Sequence, residues 1–549
     1  MSDAHSRWKL LEPVLWCAVA LAATVVSAGP ERLPRLTNDS FQYLAAANEL
    51  RSSQRFYTPL VQFNTEKSHV TIPAPLTTFP PGYPATVAAI STLGVSYETA
   101  ALTVSVVSFV LVTGILWHLM LLLDPSRWAA RAAVLCWLAN SQALTSSVSA
   151  HTEMVFTALG LASILLLMHT NRTAPINDNT VLWIGSATVA GVSYWVRYAG
   201  VFLALTIPIL LLIQIGAGGG RIRDSLRAAS LAAVTLVLLL SPLMVRNVVL
   251  VGDWKGGNTT PAAKSALTML ASTPALVHHW LHGDGEVSQL WFPLTLVVVG
   301  LIGVCVVALR GPVIEAVKLG GLVSIRRWLP TNWGIVLTAF AVYGAGVAVV
   351  ATRTVTEYSP RMYIPVLPHL IALIVCAVAF LMRRLPLDSY GRSITVAATL
   401  CLLAGYLSAN AVSWGSRLPD ARQRTEAILL QPDDGGRYGS IKQIIDQEFT
   451  PGEILASTNG QAAGYVLGRP TLSLVGRPQS LATWDERAVR AELARFGTSC
   501  LLVFRDAALS SVVKQSPFLG ALAAGQSPSW LQLIGANEGV CVYRVEPGQ

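Results

Sequence analysis

The residues best placed for chemistry are acidic and basic side chains at the ends of apolar segments. Asp39 lies in the stretch Leu36 to Tyr43, about a dozen residues beyond an apolar run near 10–28 that is long enough to cross a bilayer. A carboxylate at that boundary can act as a general base, taking the proton of an acceptor hydroxyl or amine as a glycosyl bond forms. The competing reading is structural: Asn38, Asp39 and Ser40 are N-cap residue types, and a surface helix could start at Phe41.

Further along, charged residues fall at span ends, where they are costly unless paired or hydrated. His151 and Glu153 open one span, Arg197 and Tyr198 close another, and Arg246 and Asn247 close a third. Glu153 is the second candidate base; its bland alternative is a carboxylate favoured by a helix N-terminus, and that of Arg246 a snorkelling side chain. Arg353, Glu357, Tyr358, Arg361 and Tyr363 form a further cluster. Its arginines suit a phosphate or pyrophosphate on a lipid carrier. Pairing of Arg361 with Glu357, four residues away, is the structural alternative. Pro80 to Pro84 sets a rigid entry into the next span, and Tyr83 with Phe79 offers rings for stacking on a sugar or for an aromatic belt. His278 and His282 share a helical face beside Asp284 and Glu286, a spacing open to a divalent metal, although an interfacial amphipathic helix over 262–282 explains the segment with less.

The elements that must position these groups are membrane helices. Of 549 residues, 53% are hydrophobic and only 13% charged, against about 25% charged in soluble domains. The net charge of +9 is spread over short loops between apolar runs, which fits membrane orientation and argues against a nucleic-acid partner. Apolar runs near 10–28, 97–123, 130–148, 152–169, 181–198, 199–215, 229–250, 289–309, 333–351, 362–382 and 393–412 predict a membrane all-α fold of about eleven transmembrane helices. The division at Tyr198 to Gly200 is the least defined, since two spans there could form one bent unit. Loops rich in Arg127, Arg131, Arg172, Arg221, Arg310, Arg326, Arg383 and Arg384 are expected to be cytoplasmic. The N-terminus is then cytoplasmic as a retained signal anchor, and the long first loop 29–96 is extracytoplasmic.

After Trp414 the charge rises. Strand-like runs at 453–456, 471–474, 500–504 and 540–545, with a helix over Asp485 to Phe496, predict a small extracytoplasmic α/β domain. The expected organisation is a polytopic domain over 1–412 and an α/β domain over 413–549. Cys500 and Cys541 lie in two of its strands, either as a disulfide or as two separately buried thiols. No internal repeat is visible.

Taken in order, the motifs resemble the GT-C superfamily of membrane glycosyltransferases, in particular the bacterial branch of protein O-mannosyltransferases and aminoarabinose transferases. The matching elements are Asp39-Ser40 with Tyr43 and Ala46, Pro80 to Pro84, Ser149 to Glu153, Trp195 to Gly200, Pro242 to Asn247 with Gly252, and Pro360-Arg361 through Pro368. Met362 departs from the pattern, since an aromatic commonly follows the arginine, and Ser40 stands where some relatives carry an acidic or aromatic residue. The resemblance implies an enzyme that transfers a sugar from a polyprenyl-phosphate carrier to an envelope lipid, polysaccharide or protein, with Asp39 as base. It also implies a multi-pass protein of the bacterial cytoplasmic membrane, with no nucleotide sugar required. Two other readings stand beside it: an O-antigen ligase or polymerase using the loop 252–288, and a non-enzymatic transporter or scaffold with a glycan-binding outer domain. A transporter would place ionisable residues at mid-membrane, whereas here they gather at span ends.

Overall fold

The computed structural model describes residues 2–29, 32–61, 71–170, 180–216, 222–256, 331–353, 360–384, 399–400, 403–415, 437–474, 484–505, 511–537 and 539–546. In chain order these form α1 (Ser2–Ala28), α2 (Asn38–Ser53), β1 (Tyr57–Thr58), β2 (Leu60–Val61), β3 (Ala74–Pro75), α3 (Gly82–Ser91), α4 (Tyr97–Leu123), α5 (Arg127–Ala139), α6 (Ser141–Ser147), α7 (Glu153–Thr170), α8 (Thr180–Val196), α9 (Gly200–Gly216), α10 (Ile222–Val251) and α11 (Asn332–Arg353). A 3-10 turn over Pro360–Val366 leads into α12 (Leu367–Arg384). Then come α13 (Arg437–Glu448), β4 (Leu455–Ser457), α14 (Gly460–Leu467), β5 (Thr471–Ser473), α15 (Glu486–Phe496), β6 (Cys500–Phe504), α16 (Ser511–Gln515), α17 (Pro517–Ala523), β7 (Leu531–Ala536) and β8 (Val540–Val545).

Among the described residues, six helices are long and apolar enough to cross a membrane, within α1, α4, α7, α10, α11 and the segment Arg361–Phe380. Two shorter apolar helices, Thr180–Val196 and Gly200–Leu212, accompany them. The expected span at 289–309 lies outside the described residues. The expected span at 130–148 is broken at Asn140, whose side chain caps α6 by accepting from Ala143 N at 3.0 Å and donates to Tyr406 Oη at 3.0 Å. An amide that satisfies both a new helix start and a neighbouring tyrosine makes the interruption favourable inside an apolar stretch.

The chain divides into two compact units. One comprises 1–33, 102–243 and 263–418; the other comprises 34–101, 244–262 and 419–549. In the first, α7 and α8 are joined by a buried serine pair, Ser163 Oγ to Ser186 Oγ at 2.9 Å. Small hydroxyls let the backbones approach and satisfy each other away from water. The basic residues expected at the cytoplasmic side find partners here. Arg127 and Arg131 bind Glu12 at 3.1 and 2.5 Å, and Arg383 pairs with Asp124 at the end of α4. Burial alone would push the Asp124 carboxyl up, but hydrogen bonds from the Ser126 hydroxyl and backbone and the Arg383 guanidinium hold it below the usual carboxylate range.

The second unit contains a six-stranded sheet in the order β2-β5-β4-β6-β8-β7. Strands β2, β5, β4 and β6 run parallel, while β8 and β7 are antiparallel to their neighbours. The strand-like runs at 471–474, 500–504 and 540–545 coincide with β5, β6 and β8, and Asp485 caps α15 by accepting from Ala488 N. The outer edge strand was not expected. β2 comes from the first long loop and pairs in register with β5, Leu60 opposite Thr471. Pairing across some 400 residues leaves no local trace in sequence, so a boundary drawn at 412/413 separates segments that share one sheet. Apolar side chains cover both faces. Leu472, Leu501, Val503 and Cys541 pack against α15 residues on one face, and Leu455, Cys500, Leu502 and Val542 pack against Ile441 and Ile445 on the other. Cys500 and Cys541 are therefore free, buried thiols on opposite faces of the sheet.

Candidate functional site

In the first unit the site is built around Glu153, the first residue of α7 and fully buried. Arg197 Nη1 donates to Glu153 Oε1 at 2.7 Å, and Arg361 Nε donates to the same oxygen at 2.5 Å. His151 Nδ1 lies 3.8 Å from Oε2, which takes no hydrogen bond among the described residues. Arg197 also donates to Thr152 Oγ1 at 3.3 Å. One carboxylate thus orients two guanidiniums, and the charges sum to a surplus of one positive charge before His151 is counted. Oε1 of Glu153 is thus engaged by two charged donors, which hold the carboxylate in its ionised form.

Each arginine is delivered by a local feature of the backbone. Arg197 sits in the turn between α8 and α9, where Gly200 N donates to Arg197 O at 2.8 Å. A Cβ on Gly200 would lie 2.4 Å from Tyr194 N, so the turn requires glycine. This resolves 181–215 into two helices. Arg361 lies in the 3-10 turn before α12, which is fixed by Tyr343 Oη donating to Met362 O at 3.0 Å. Met362, noted as a departure in sequence, contributes its carbonyl rather than its side chain. Tyr343 is buried and packs beside Phe156 and Phe202. A lone tyrosine inside an apolar span carries no signal of its own in the sequence. Arg361 lies in the turn that leads into α12 and Arg383 nearly closes that helix, so this cluster and the Asp124–Arg383 pair lie toward opposite ends of it. Eighteen residues of α12 rise about 27 Å, close to a hydrocarbon core.

Other expected site residues lie as follows. His151 and Tyr363 are buried in the first unit, and Tyr198 packs against Tyr194 at 5.6 Å. Arg353 closes α11, with its side chain outside the described residues. Glu357, Tyr358, His278 and His282 are also outside them, and with Glu357 the expected pairing to Arg361; among the described residues Arg361 has a partner 208 residues distant. Among the described residues, no three His, Cys, Asp or Glu side chains converge as metal ligands.

In the second unit, Asp39 stands in the first turn of α2, half-buried. The N-cap is Thr37, whose backbone N donates to Ser40 Oγ at 3.0 Å. The cap therefore belongs to Thr37 and Ser40, not to Asp39. Tyr43 meets Phe79 at 4.8 Å and Tyr83 at 5.1 Å, an aromatic cluster that joins α2 to the start of α3. Both tyrosine rings are almost fully buried. Arg246 donates from Nη1 to Leu76 O at 2.9 Å and from Nη2 to Phe56 O at 3.1 Å. Asn247 Nδ2 donates to Trp254 O at 3.2 Å. Arg246 thus holds the carbonyls that flank the β1–β3 pair, and Asn247 holds one just after α10.

No protein-family model matches the sequence, and no curated protein matches it. Solved structures do. The crystal structure of ArnT from Cupriavidus metallidurans bound to undecaprenyl phosphate matches with TM-score 0.57 at 15% identity, over 98% of this chain and 99% of that one. The chain has a GT-C-like membrane fold. The archaeal oligosaccharyltransferase AglB from Archaeoglobus fulgidus, in complex with an inhibitory peptide and a dolichol-phosphate, matches with TM-score 0.55 at 11% identity, over 91% of this chain and 70% of that one. The arabinofuranosyltransferase AftD from Mycobacteria matches with TM-score 0.54 at 15% identity, over 99% of this chain and 40% of that one. The GT-C-like likeness to ArnT thus runs almost end to end in both chains, including the segments that form the α/β unit.

Proposed function

We propose that the protein is a glycosyltransferase that moves a sugar from a polyprenyl-phosphate carrier to an envelope lipid, polysaccharide or protein. The observation that carries this reading is the pair of arginines held on one buried carboxylate, in a chain with a GT-C-like fold. Arg197 and Arg361 supply surplus positive charge in rigid, planar form, which suits a phosphate better than lysine would. Two of the similar structures hold undecaprenyl phosphate and a dolichol-phosphate, which supports a lipid phosphate as the ligand class. Asp39 is the acceptor-activating base. Its half-buried place in the first turn of α2, beside a capping box formed by Thr37 and Ser40, supports this.

The arginine cluster belongs to the extracytoplasmic side. Its position at the end of α12 opposite Arg383 supports that orientation, as do the partners of Arg127 and Arg131 at the other end. The complete topology has about eleven spans, with the N-terminus cytoplasmic and the α/β unit outside a bacterial inner membrane. Mass spectrometry of glycolipids, polysaccharide and envelope proteins from a deletion strain and its parent tests the function. A single sugar missing from one acceptor class supports it, and identical glycan profiles contradict it.

A further inference from the structure

The α/β unit holds a polar cluster that the reaction above does not use. From β4 the chain passes through α14 to β5 on one side, then through α15 to β6 on the other side of β4. Strand order reverses there, and open α/β sheets bind ligands beyond the carboxyl ends of the strands at such a point. The residues at that edge are polar although nearly fully buried: Ser457, Thr458, Asn459, Gln461 and Ser473.

Hydrogen bonds fix most of them. Phe504 N donates to Thr458 Oγ1 at 3.0 Å, Gly460 N donates to Ser473 Oγ at 3.3 Å, and Ser473 Oγ donates to Gln461 Oε1 at 3.0 Å. A Cβ on Gly460 would stand 2.6 Å from Ser473 Cα, so glycine alone lets the start of α14 lie against β5. Two amides keep hydrogen-bonding capacity in hand. Gln461 is fully buried and its Nε2 makes no hydrogen bond among the described residues. Since its Oε1 is held by the last residue of β5, the NH2 group lies at the same strand end. Asn459 is the N-cap of α14, 5% exposed, yet its side chain makes no capping bond. Leaving a buried donor without an acceptor is unfavourable, and a ligand oxygen would relieve it.

The five side chains are uncharged and combine donors with acceptors, the pattern that matches vicinal hydroxyls rather than a phosphate or carboxylate. We propose that this strand end binds a saccharide, the glycan part of the acceptor; this rests on the glycosyltransferase reading. The same unit carries Asp39. Helix α14 packs on α2 through Phe41 and Tyr465, 5.6 Å between ring centroids, and Tyr465 Oη donates to Glu98. Acceptor binding and the base-bearing helix therefore share one packed body.

The test is saturation-transfer NMR on the full chain in nanodiscs, with methyl α-mannopyranoside, methyl α-glucopyranoside and methyl α-arabinofuranoside as probes and inorganic phosphate as competitor. At least one glycoside binds, Gln461→Met weakens it by about tenfold, and phosphate does not compete. Asn459→Ala weakens the same glycoside with no loss of thermal stability, because no capping bond is removed. Absence of glycoside binding, parental affinity in both variants, or displacement by phosphate overturns the site. Binding is read without turnover, so the two readings fail separately. A chain that binds glycoside but transfers no sugar removes the transferase and leaves the site; one that transfers sugar with parental acceptor KM in both variants removes the site and leaves the transferase.

Discussion

Replacing Glu153 by Gln keeps the shape of the side chain and removes the charge that holds Arg197 and Arg361 together. Two unit charges 4 Å apart interact by about 4 kcal/mol at an effective dielectric near 20. Breaking a buried pair by removing one partner costs about 3–5 kcal/mol. Glu153 is fully buried, but Arg197 and Arg361 keep 20% and 33% of their side-chain exposure. Water therefore screens the stranded guanidiniums, and the loss should fall near the lower bound, about 3 kcal/mol. A second change, Arg361→Gln, removes the repulsion that the first creates. The double variant should recover part of the loss, with a coupling energy of about 1–3 kcal/mol. Equilibrium unfolding of the four proteins in bicelles by steric trapping measures both quantities. A Glu153→Gln variant within about 0.5 kcal/mol of the parent, or a cycle that is additive within that margin, refutes the argument.

Other outcomes follow from the same contacts. Arg361→Ala and Arg197→Ala should weaken binding of a polyprenyl-phosphate analogue in nanodiscs, with Lys restoring only part of it; unchanged affinity in both removes their role. Arg246→Ala deletes two charged hydrogen bonds to backbone carbonyls, each worth about 1.5–3 kcal/mol, and should lower thermal stability by more than Arg246→Lys does. Asp446 is held below its ordinary value of 3.8 first by a hydrogen bond from Arg469, with burial opposing and Lys442 assisting. Its folded-state pKa is depressed, so its contribution is present above the ordinary value and is lost as pH falls through the folded one. Asp446→Asn should therefore lower the urea midpoint at neutral pH, and the difference from the parent should shrink below about pH 4. Alkylation and mass spectrometry should find Cys500 and Cys541 both as thiols, and a Cys500–Cys541 crosslinked peptide would contradict the sheet register.

The sequence announces the apolar helices because an uninterrupted run of the right length needs no partner to be recognised. It also announces β6 and β8, whose alternation survives in short windows. Asn140 shows where such reading stops: one amide divides an apolar run because Tyr406, far along the chain, can receive its NH2 group. The pairing of β2 with β5 and the pairing of Arg361 with Glu153 are equally silent, since neither obeys a local period. A local i,i+4 rule reaches only Glu357 from Arg361, and gives no hint of the carboxylate that the fold brings from α7. Asp39, Glu153, Arg197 and Arg361 were each visible as costly charges at span ends. That both arginines meet on Glu153, and that Thr37 and Ser40 form the capping box of α2, required the structure.

The central claim is tested most directly by sugar transfer from a polyprenyl-phosphate-linked donor, catalysed by the purified protein in nanodiscs and compared with Asp39→Asn. The account predicts transfer by the parent and a fall of about 10²–10⁴-fold in the variant, with thermal stability unchanged because the Thr37–Ser40 cap is intact. Parental turnover in Asp39→Asn would contradict it.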